Sequence, residues 1–343
     1  MSRVVLVTGV SRHLGARIAN ALQADRRVRR VIGVDVNGEP DAPGTPQVSG
    51  AAPRQPLDVD SVEYVDLHDG TISSVVRDIE PDTVLDLGLT VPATPAGRSR
   101  GAGPARLGTM QLLAACQQAP SVHRLVVGTA SAAGVLAVAA PHGSRTRGPD
   151  RPGGDMVEDP GDERGGVAGH VAGLVRRRPD IDVATVRLAN VIGPSTESPL
   201  TRYLGMPVVP TVRGYDPRMQ FLHEDDMVEA MCRMTLSSCT GCFDAAAPGT
   251  VPLSLCLRWA GRSQRPLRER RLRLPTPLRR LGGRRGSHSY SPEQVRRLCP
   301  GGVLNESDLE RALGWRPRYT SVEAFASFVS TQAEQRPEPR STH

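Results

Sequence analysis

The chain contains no lysine, although 43 of its 343 residues are basic. All 43 are therefore arginine, and we attribute this bias to a genome whose codons favour Arg, Ala, Gly and Pro. The absence excludes every reaction that needs a lysine amine. A Schiff base, a lysine general base and an ammonium group tuned by burial cannot occur in this chain.

Long apolar runs and paired cysteines are also missing. No stretch approaches the roughly 20 apolar residues of a membrane span, and the N-terminus leads into the first strand without a signal peptide. Six scattered cysteines fit a reducing compartment, so we expect a cytoplasmic protein. The one CxxC, formed by Cys239 and Cys242, has no second matched pair, and we predict no metal site.

Aromatic residues make up only 3% of the chain, which bears on its most basic segment. Residues 258–285 contain eleven arginines and a single acid, Glu269. Such a run could bind the phosphates of nucleic acid, an anionic lipid or a substrate diphosphate. Base stacking needs aromatic rings that are almost absent here, and Pro275 and Pro277 interrupt any long helix. We therefore expect a solvated surface and not a nucleic-acid site.

The segment from residue 3 to residue 22 organises the N-terminal half. Its apolar run at residues 4–7 predicts a strand buried on both faces, and helical spacing of apolar residues follows. A glycine-bearing turn between strand and helix directs backbone N–H groups and a helix N-terminus at one point, where a pyrophosphate can bind. The candidate cofactor-binding residues of this turn are Thr8, Gly9, Arg12, His13, Leu14 and Gly15.

A second strand, at residues 30–35, ends in Asp35, about twenty residues past Gly15. A carboxylate there accepts hydrogen bonds from an adenosine ribose, and it favours NAD over NADP because a 2′-phosphate would meet a like charge. A glycine turn that serves only packing is the alternative. In the usual TGxxGxxG run the middle glycine stands where this chain has Arg12, which could crowd the phosphate or supply a counter-charge.

Strands continue to alternate with helices as far as residue 190. Strands are predicted at residues 62–66, 84–87, 124–127 and 181–187, with helices at 72–79, 107–118 and 171–178. This order predicts a parallel, doubly wound α/β sheet over residues 1–190. For residues 191–333 we predict a smaller α/β lobe with a helix at 227–236, a strand at 242–244 and capping boxes at Ser307–Glu310 and Thr320–Glu323. Residues 334–343 should fray.

Four blocks carry a resemblance to a known family: VLVTGVSRHLG, RRRPDIDVATVRLANVIGP, MQFLHEDD and LERALGWRPRYTSVEAF. In that order they resemble the extended short-chain dehydrogenase/reductase family, in particular the NAD-dependent epimerase/dehydratases that act on nucleotide sugars. The chain is most similar to the actinobacterial, UDP-glucose 4-epimerase-like members. The resemblance implies a Rossmann lobe that holds NAD permanently and a smaller C-terminal lobe that holds the nucleotide of a sugar substrate.

The resemblance also implies roles for cofactor-binding residues. Gly9 and Gly15 would line the pyrophosphate, and Asp35 would bind the adenosine ribose. Asp66, with its neighbour Leu67, would meet the adenine edge.

On the substrate side, the resemblance places Asn190, together with Arg187, near the diphosphate of a nucleotide-sugar-like small molecule. His223 and Asp226 match a family block whose role could be functional or could be that of a cap and an anchor for the following helix. Proteins of this kind often pair through helices that flank strands four and five, so a homodimer is expected.

The catalytic residues of the family are only partly matched. Its chemistry uses a YxxxK pair, in which a tyrosinate takes a hydroxyl proton, and a Ser or Thr at the end of strand five. Thr129 matches the helper, with Ser131 as a substitute. No tyrosine lies between strands five and six, and alignment on residues 176–181 puts the tyrosine position on Pro160 and the lysine position on Arg164.

The missing pair leaves two hypotheses for function. Arg164 could still hold a nicotinamide ribose, and His170 is a minor alternative as a substitute base, although it lies about ten residues late. Ala105 or the nearby Arg106 stands where the family often supplies an asparagine. The resemblance thus implies either an epimerase/dehydratase-type enzyme with a degenerate active site or an NAD(H)-binding regulator or partner protein without turnover.

Overall fold

A computed structural model describes residues 2–35, 57–65, 71–88, 103–130, 163–267, 290, 292–299 and 301–334. The elements of its first half are β1 (Arg3–Thr8), α1 (His13–Gln23), β2 (Val28–Asp35), β3 (Ser61–Tyr64), α2 (Thr71–Ile79), β4 (Thr83–Asp86), α3 (Gly103–Gln118), β5 (Arg124–Ala130), α4 (Glu163–Arg177), β6 (Asp182–Leu188) and β7 (Asn190–Ile192). Those of its second half are α5 (Pro199–Gly205), β8 (Val208–Val212), β9 (Arg218–Met219), β10 (Phe221–His223), α6 (Glu224–Leu236), β11 (Gly241–Ala245), β12 (Val251–Pro252), α7 (Leu253–Trp259), β13 (Ser263–Leu267), α8 (Pro292–Leu298), α9 (Asp308–Leu313) and α10 (Ser321–Glu334).

Seven strands form one sheet in the order β11-β6-β5-β4-β1-β2-β3, and every neighbouring pair is parallel. The order reverses between β1 and β4, because the chain moves outward from β1 to β3 and then returns to β4. Sheets of this kind bind ligands outside the carboxyl ends of their strands at the reversal point. The predicted doubly wound parallel sheet is confirmed.

Both faces of the sheet are covered by helices. Val5 and Val7 of β1 belong to a core shared with α1 and α6, whereas Leu6 belongs to a second core shared with α2, α3 and α4. All three valine and leucine side chains are fully buried. Burial on both faces explains why β1 is a continuous apolar run instead of an alternating one.

A third core lies in the second half and is built from α5, α7, α8, α10 and short strands. Tyr203, Phe221 and Phe325 are its largest buried side chains, and the rings of Phe221 and Phe325 lie 5.2 Å apart. Three two-stranded pairings, β10-β7, β12-β9 and β13-β8, connect these helices. The domain boundary at residue 190 stays a prediction. Of the elements that follow this residue, β11 is an edge strand of the seven-stranded sheet and α6 packs on that sheet.

Several element ends differ from the expectations. α4 begins at Glu163 instead of residue 171, and β5 continues to Ala130. The capping box at Thr320 forms, because its amide donates to Glu323 at 2.7 Å and the amide of Glu323 donates to its hydroxyl at 3.2 Å. None of the helices in the described ranges has the length and apolar character needed to cross a membrane.

The capping box predicted at Ser307 is wrong. The Ser307 side chain makes no capping hydrogen bond, and its backbone is already helical, with φ −90° and ψ −5°. The side chain of Asn305 makes the local bonds instead, accepting from the Ser307 amide at 3.2 Å and donating to Asp308 at 2.6 Å. An Asx turn has thus replaced the serine cap.

Candidate cofactor and active site

The turn after β1 is shaped by two glycines. Gly9 has φ +76°, in the left-handed region that side chains rarely adopt. A Cβ on Gly15 would lie 2.1 Å from the carbonyl oxygen of Gly9, so the helix can approach the turn only because residue 15 has no side chain. The Gly9 amide also donates to Val34 at 2.9 Å. These contacts bring the N-terminus of α1 to the carboxyl edge of the sheet.

The first turn of α1 is suited to an anion. Its N-cap residue, Arg12, has an extended backbone and makes no side-chain capping bond, and a guanidinium has no acceptor to offer. The turn also contains no acidic residue. In addition, both ring nitrogens of His13 are buried without a hydrogen-bond partner among the described residues. Backbone N–H groups and an imidazole are therefore available to a bound diphosphate.

Asp35 lies at the end of β2 and is 4% exposed. Its Oδ2 accepts a hydrogen bond from the Ser11 amide at 2.8 Å, which ties the acid to the glycine turn. Burial lowers the pKa of the Arg12 guanidinium, and the charge of Asp35 acts in the opposite direction. The positive charge of Arg12 is thus held near the acid.

The structure reveals a polar cluster that sequence reasoning missed. Asp86, the last residue of β4, is 1% exposed, and its Oδ1 accepts from the Thr8 hydroxyl at 2.7 Å and from the Gly88 amide at 3.0 Å. Its Oδ2 accepts from the Thr109 hydroxyl at 2.9 Å. The cluster joins β1, β4 and α3 at the reversal point. The sequence signal that could have revealed this cluster is an acidic residue at the end of an otherwise apolar strand.

A second missed residue, Glu224, links α1 to the segment after β7. Its Oε1 lies 3.4 Å from Arg17, and its Oε2 accepts from the Thr196 hydroxyl at 2.6 Å and the Ser195 amide at 3.2 Å. A Cβ on Gly193 would come within 2.5 Å of the Glu224 side chain. The glycine is therefore required for this carboxylate to fit.

On the catalytic side, Thr129 lies near the end of β5, next to β4, and its hydroxyl donates to the Val186 carbonyl at 3.4 Å. Arg164 and His170 lie in α4, and the side chain of Arg164 is outside what the structure describes. Four further positions that the sequence singled out also lie outside the described residues: Asp66, Leu67, Ser131 and Pro160.

The tyrosines whose side chains are described all lie after residue 190. The hydroxyls of Tyr203 and Tyr215 donate to backbone carbonyls at 2.7 and 2.9 Å, and burial raises the pKa of both phenols. Tyr290 packs edge-on against Tyr203 at 5.4 Å, and Tyr319 stacks on His223 at 3.8 Å. A raised pKa is the opposite of what a tyrosinate base needs.

His223 and Asp226 make the contacts of a cap and an anchor. His223 Nδ1 accepts from the Asp225 amide at 3.2 Å at the start of α6. Asp226 is fully buried and accepts from the amides of Arg318 and Tyr319 at 3.0 and 3.1 Å, and burial raises the pKa of its carboxyl. The block thus fastens the segment before α10 to α6.

The two predicted substrate residues both bond within the chain. Arg187 Nε donates to the fully buried Asp244 at 2.6 Å, and burial raises the pKa of that carboxyl. Asn190 Nδ2 donates to the Gln220 carbonyl at 2.9 Å. Contact with a substrate stays a prediction for both.

Two concavities lie away from the carboxyl edge. One, of about 190 Å³, lies between the end of α7 and α10, beside Trp259. The other, of about 380 Å³, contains Arg27 and Arg233, which are paired with Asp25 and Glu229 at 2.8 Å each. Over the described ranges, no group of three His, Cys, Asp or Glu side chains could hold a metal ion.

Comparisons with known proteins identify a family and a fold. The model of the NAD dependent epimerase/dehydratase family matches residues 5–154. Uncharacterized proteins of Mycobacterium tuberculosis and Mycobacterium bovis are 34% identical over 349 residues, which covers 95% of this chain and 83% of each relative.

Two solved structures share the fold over nearly their whole length. UDP-glucose 4-epimerase of Thermotoga maritima, solved with UDP-glucose, has a TM-score of 0.63 at 15% identity and covers 96% of this chain and 99% of its own. UDP-glucose 4-epimerase of Thermus thermophilus, in complex with NAD, has a TM-score of 0.63 at 17% identity, with 97% and 100% covered.

Proposed function

Because the chain belongs to the NAD-dependent epimerase/dehydratase family, we propose that it binds NAD across the carboxyl edge of its seven-stranded sheet. We further propose that it acts on a nucleotide-sugar-like small molecule by transient hydride transfer, with an eroded active centre. The observation that carries the proposal is the uncapped N-terminus of α1, which the glycine turn holds at the point where the strand order reverses.

The residues of this edge fit the cofactor. Gly9, Gly15 and the first turn of α1 would hold the pyrophosphate, with the His13 ring as an additional donor. Asp35 would accept hydrogen bonds from the adenosine ribose, and Asp66 would meet the adenine. When bound, NAD accepts a hydride and can return it.

The substrate class rests on the family and on its solved members. The T. maritima neighbour was solved with UDP-glucose, and a UDP-N-acetylglucosamine 4-epimerase of Methanobrevibacter ruminantium with UDP-N-acetylmuramic acid. Asn190 and Arg187, on neighbouring strands β7 and β6, are the residues that we assign to the diphosphate. The sugar itself is not assigned.

The active centre is eroded because the proton-exchanging pair is missing. Thr129 remains at the end of β5, but the chain has no lysine and no tyrosine between β5 and β6. The described tyrosines that could be recruited donate to backbone carbonyls or pack against other rings. Loss of one acid–base group lowers a rate by about 10²- to 10⁴-fold, so the remaining turnover should be very small.

The same observation favours a second candidate, an NAD(H)-binding regulator or partner protein without turnover. In both cases we place the protein in the cytoplasm and expect a homodimer that pairs through α3 and α4, the helices flanking β4 and β5. Light scattering on the purified protein tests the dimer.

One experiment separates the candidates. The purified protein is analysed for bound nicotinamide and then assayed for interconversion of UDP-glucose and UDP-galactose and for turnover of other nucleotide sugars. Epimerisation that Thr129→Ala abolishes would support the enzyme. Bound NAD without turnover would support the binding protein. A folded protein with no affinity for NAD or NADH would overturn both.

A further inference from the structure

Asp86 is a buried charged group at the carboxyl edge to which the proposed function gives no role. Two hydroxyls and one amide donate to its carboxylate, so both oxygens accept hydrogen bonds. No arginine or histidine forms an ion pair with it in the part of the chain that the structure describes. Among the described residues its negative charge is therefore stabilised by hydrogen-bond dipoles and not by a counter-charge.

The charge of Asp86 acts on its surroundings. Burial raises the pKa of the Cys116 thiol to about 12, and the Asp86 charge contributes in the same direction. A second negative charge is thus disfavoured near this carboxylate, while a positive charge would be favoured. Because Asp86 is only 1% exposed, bulk solvent screens its charge weakly, and the field extends to the carboxyl end of β4.

The sheet determines which half of a dinucleotide would meet this field. Asp35, at the end of β2, marks the adenosine side, and β4 lies on the opposite side of β1. A dinucleotide that crosses the reversal point therefore has its nicotinamide half over β4 and β5. Oxidised nicotinamide carries one positive charge, whereas the reduced ring is neutral.

We propose that Asp86 is a specificity-determining residue that makes this site bind oxidised NAD more tightly than NADH. The inference rests on the proposed function, because it requires the dinucleotide to bind at this edge. The diphosphate, both riboses and the adenine are common to the two forms, so the contributions of α1, Arg12 and Asp35 cancel in the ratio of their dissociation constants. At an effective dielectric constant of about 20, a unit charge even ~10 Å away changes such a ratio by more than tenfold.

The preference has a consequence under either candidate function. An enzyme would rest with its cofactor oxidised and ready to accept a hydride. A regulator would distinguish the oxidised from the reduced cofactor pool. Asp86 is thus relevant to function even where no turnover remains.

The experiment is calorimetric titration of the full-length wild type and of Asp86→Asn with NAD⁺, NADH and ADP-ribose. Asparagine fits the cluster, because its oxygen can accept from Thr8 and Gly88 while its amide donates to Thr109. We expect the wild type to bind NAD⁺ at least tenfold more tightly than NADH. In Asp86→Asn the ratio should fall by about tenfold.

Asp82→Asn is the matched control. Asp82 precedes β4 at the opposite end of the strand, where it accepts from the Val4 amide at 2.6 Å and the Thr83 hydroxyl at 2.6 Å. Its substitution should weaken local hydrogen bonds but leave the NAD⁺/NADH ratio unchanged.

The outcomes distinguish this inference from the proposed function. A wild-type ratio below threefold, or an unchanged ratio in Asp86→Asn, overturns the inference while NAD binding stands. A folded wild type that binds none of the three ligands overturns the proposed function itself. If Asp86→Asn does not fold, the ratio of the NAD⁺ and NADH dissociation constants of the wild type alone decides whether the inference stands.

Discussion

The glycine turn between β1 and α1 and the crossover between β5 and β6 differ in how many of the residues that the family resemblance implies are present in the sequence. The turn has Gly9 in its left-handed conformation, Gly15 against the Gly9 carbonyl and Asp35 fastened by the Ser11 amide. Thr129 is present near the end of β5, but the crossover that follows contains neither a tyrosine nor a lysine. Binding depends mainly on backbone geometry, which many substitutions preserve, whereas proton transfer depends on particular side chains that a single substitution removes.

Restoring the missing pair is the strongest test of this comparison. Pro160→Tyr combined with Arg164→Lys supplies the phenol and the ammonium at the positions that the alignment indicates. If only this pair is missing, turnover of a nucleotide sugar should rise by about 10²- to 10⁴-fold, as measured by interconversion of UDP-glucose and UDP-galactose. Pro160→Phe with Arg164→Lys is the control that lacks the hydroxyl. A double variant that binds NAD but stays inert would mean that the loss extends into the substrate lobe.

A single added methyl group should disrupt the glycine turn between β1 and α1. Gly15→Ala would put a Cβ 2.1 Å from the Gly9 carbonyl oxygen, so α1 must move away from the turn. We expect NAD affinity to fall by about 100-fold and the free energy of unfolding to fall by about 1–3 kcal/mol. Calorimetric titration and denaturant unfolding measure the two effects.

The control for Gly15→Ala is another helical glycine. Gly169 in α4 has no atom within 4 Å of a built Cβ, so Gly169→Ala should be neutral or stabilise the protein by up to about 1 kcal/mol. Wild-type NAD affinity in Gly15→Ala would contradict the assignment of this turn to the pyrophosphate.

The two regions also differ in how far the sequence predicts them. The turn and Asp35 are close along the chain, and their local pattern is sufficient to predict strand, helix and acid. The Asp86 cluster is different, because Thr8 and Asp86 are 78 residues apart and Asp86 and Thr109 are 23 apart. Only the order of the strands brings these three residues together.

Local propensity fails in a similar way at α4 and in the C-terminal half. Gly165 and Gly166 disfavour a helix, yet α4 begins at Glu163 and packs against α3. The strand at β11 was expected, but its parallel pairing with β6 was not, because nothing in residues 241–245 indicates which sheet they join. Tertiary packing decides these features.

A smaller effect is expected at the adenosine end of the turn. Asp35→Asn keeps an oxygen for the Ser11 amide but removes the charge that faces Arg12 and would bind the ribose hydroxyls. We expect NAD to bind about tenfold more weakly, because hydrogen bonds to a charged acceptor are stronger than those to an amide, and NADP to bind relatively better. Titration with both cofactors measures the change. Asp25→Asn is the control, because it removes the charge of an acid that pairs with the exposed Arg27. It should change neither affinity.

The smallest effect is expected for a substitution of Asp226, in the block MQFLHEDD. This substitution tests whether the block belongs with the binding region or with the catalytic one. Its contacts are those of an anchor, so Asp226→Asn should leave NAD affinity unchanged. An amide can accept from only one of the Arg318 and Tyr319 amides as well as the carboxylate does. We therefore expect the free energy of unfolding to fall by about 1–2 kcal/mol at neutral pH. Reduced NAD affinity in a folded variant would place this block in the cofactor site.

The pH dependence of that stability difference has a definite sign. Burial raises the pKa of Asp226 in the folded protein above its usual value of 3.8, so between these two pKa values the folded state binds more protons than the unfolded state. The contribution of Asp226 to stability is thus fully present below pH 3.8 and decreases as the pH rises through the folded pKa. The stability of the wild type minus that of Asp226→Asn should therefore be larger in acid than at neutral pH, while other titrating groups cancel. A difference that grows with pH would mean that the two amide donors outweigh burial and stabilise the charged carboxylate.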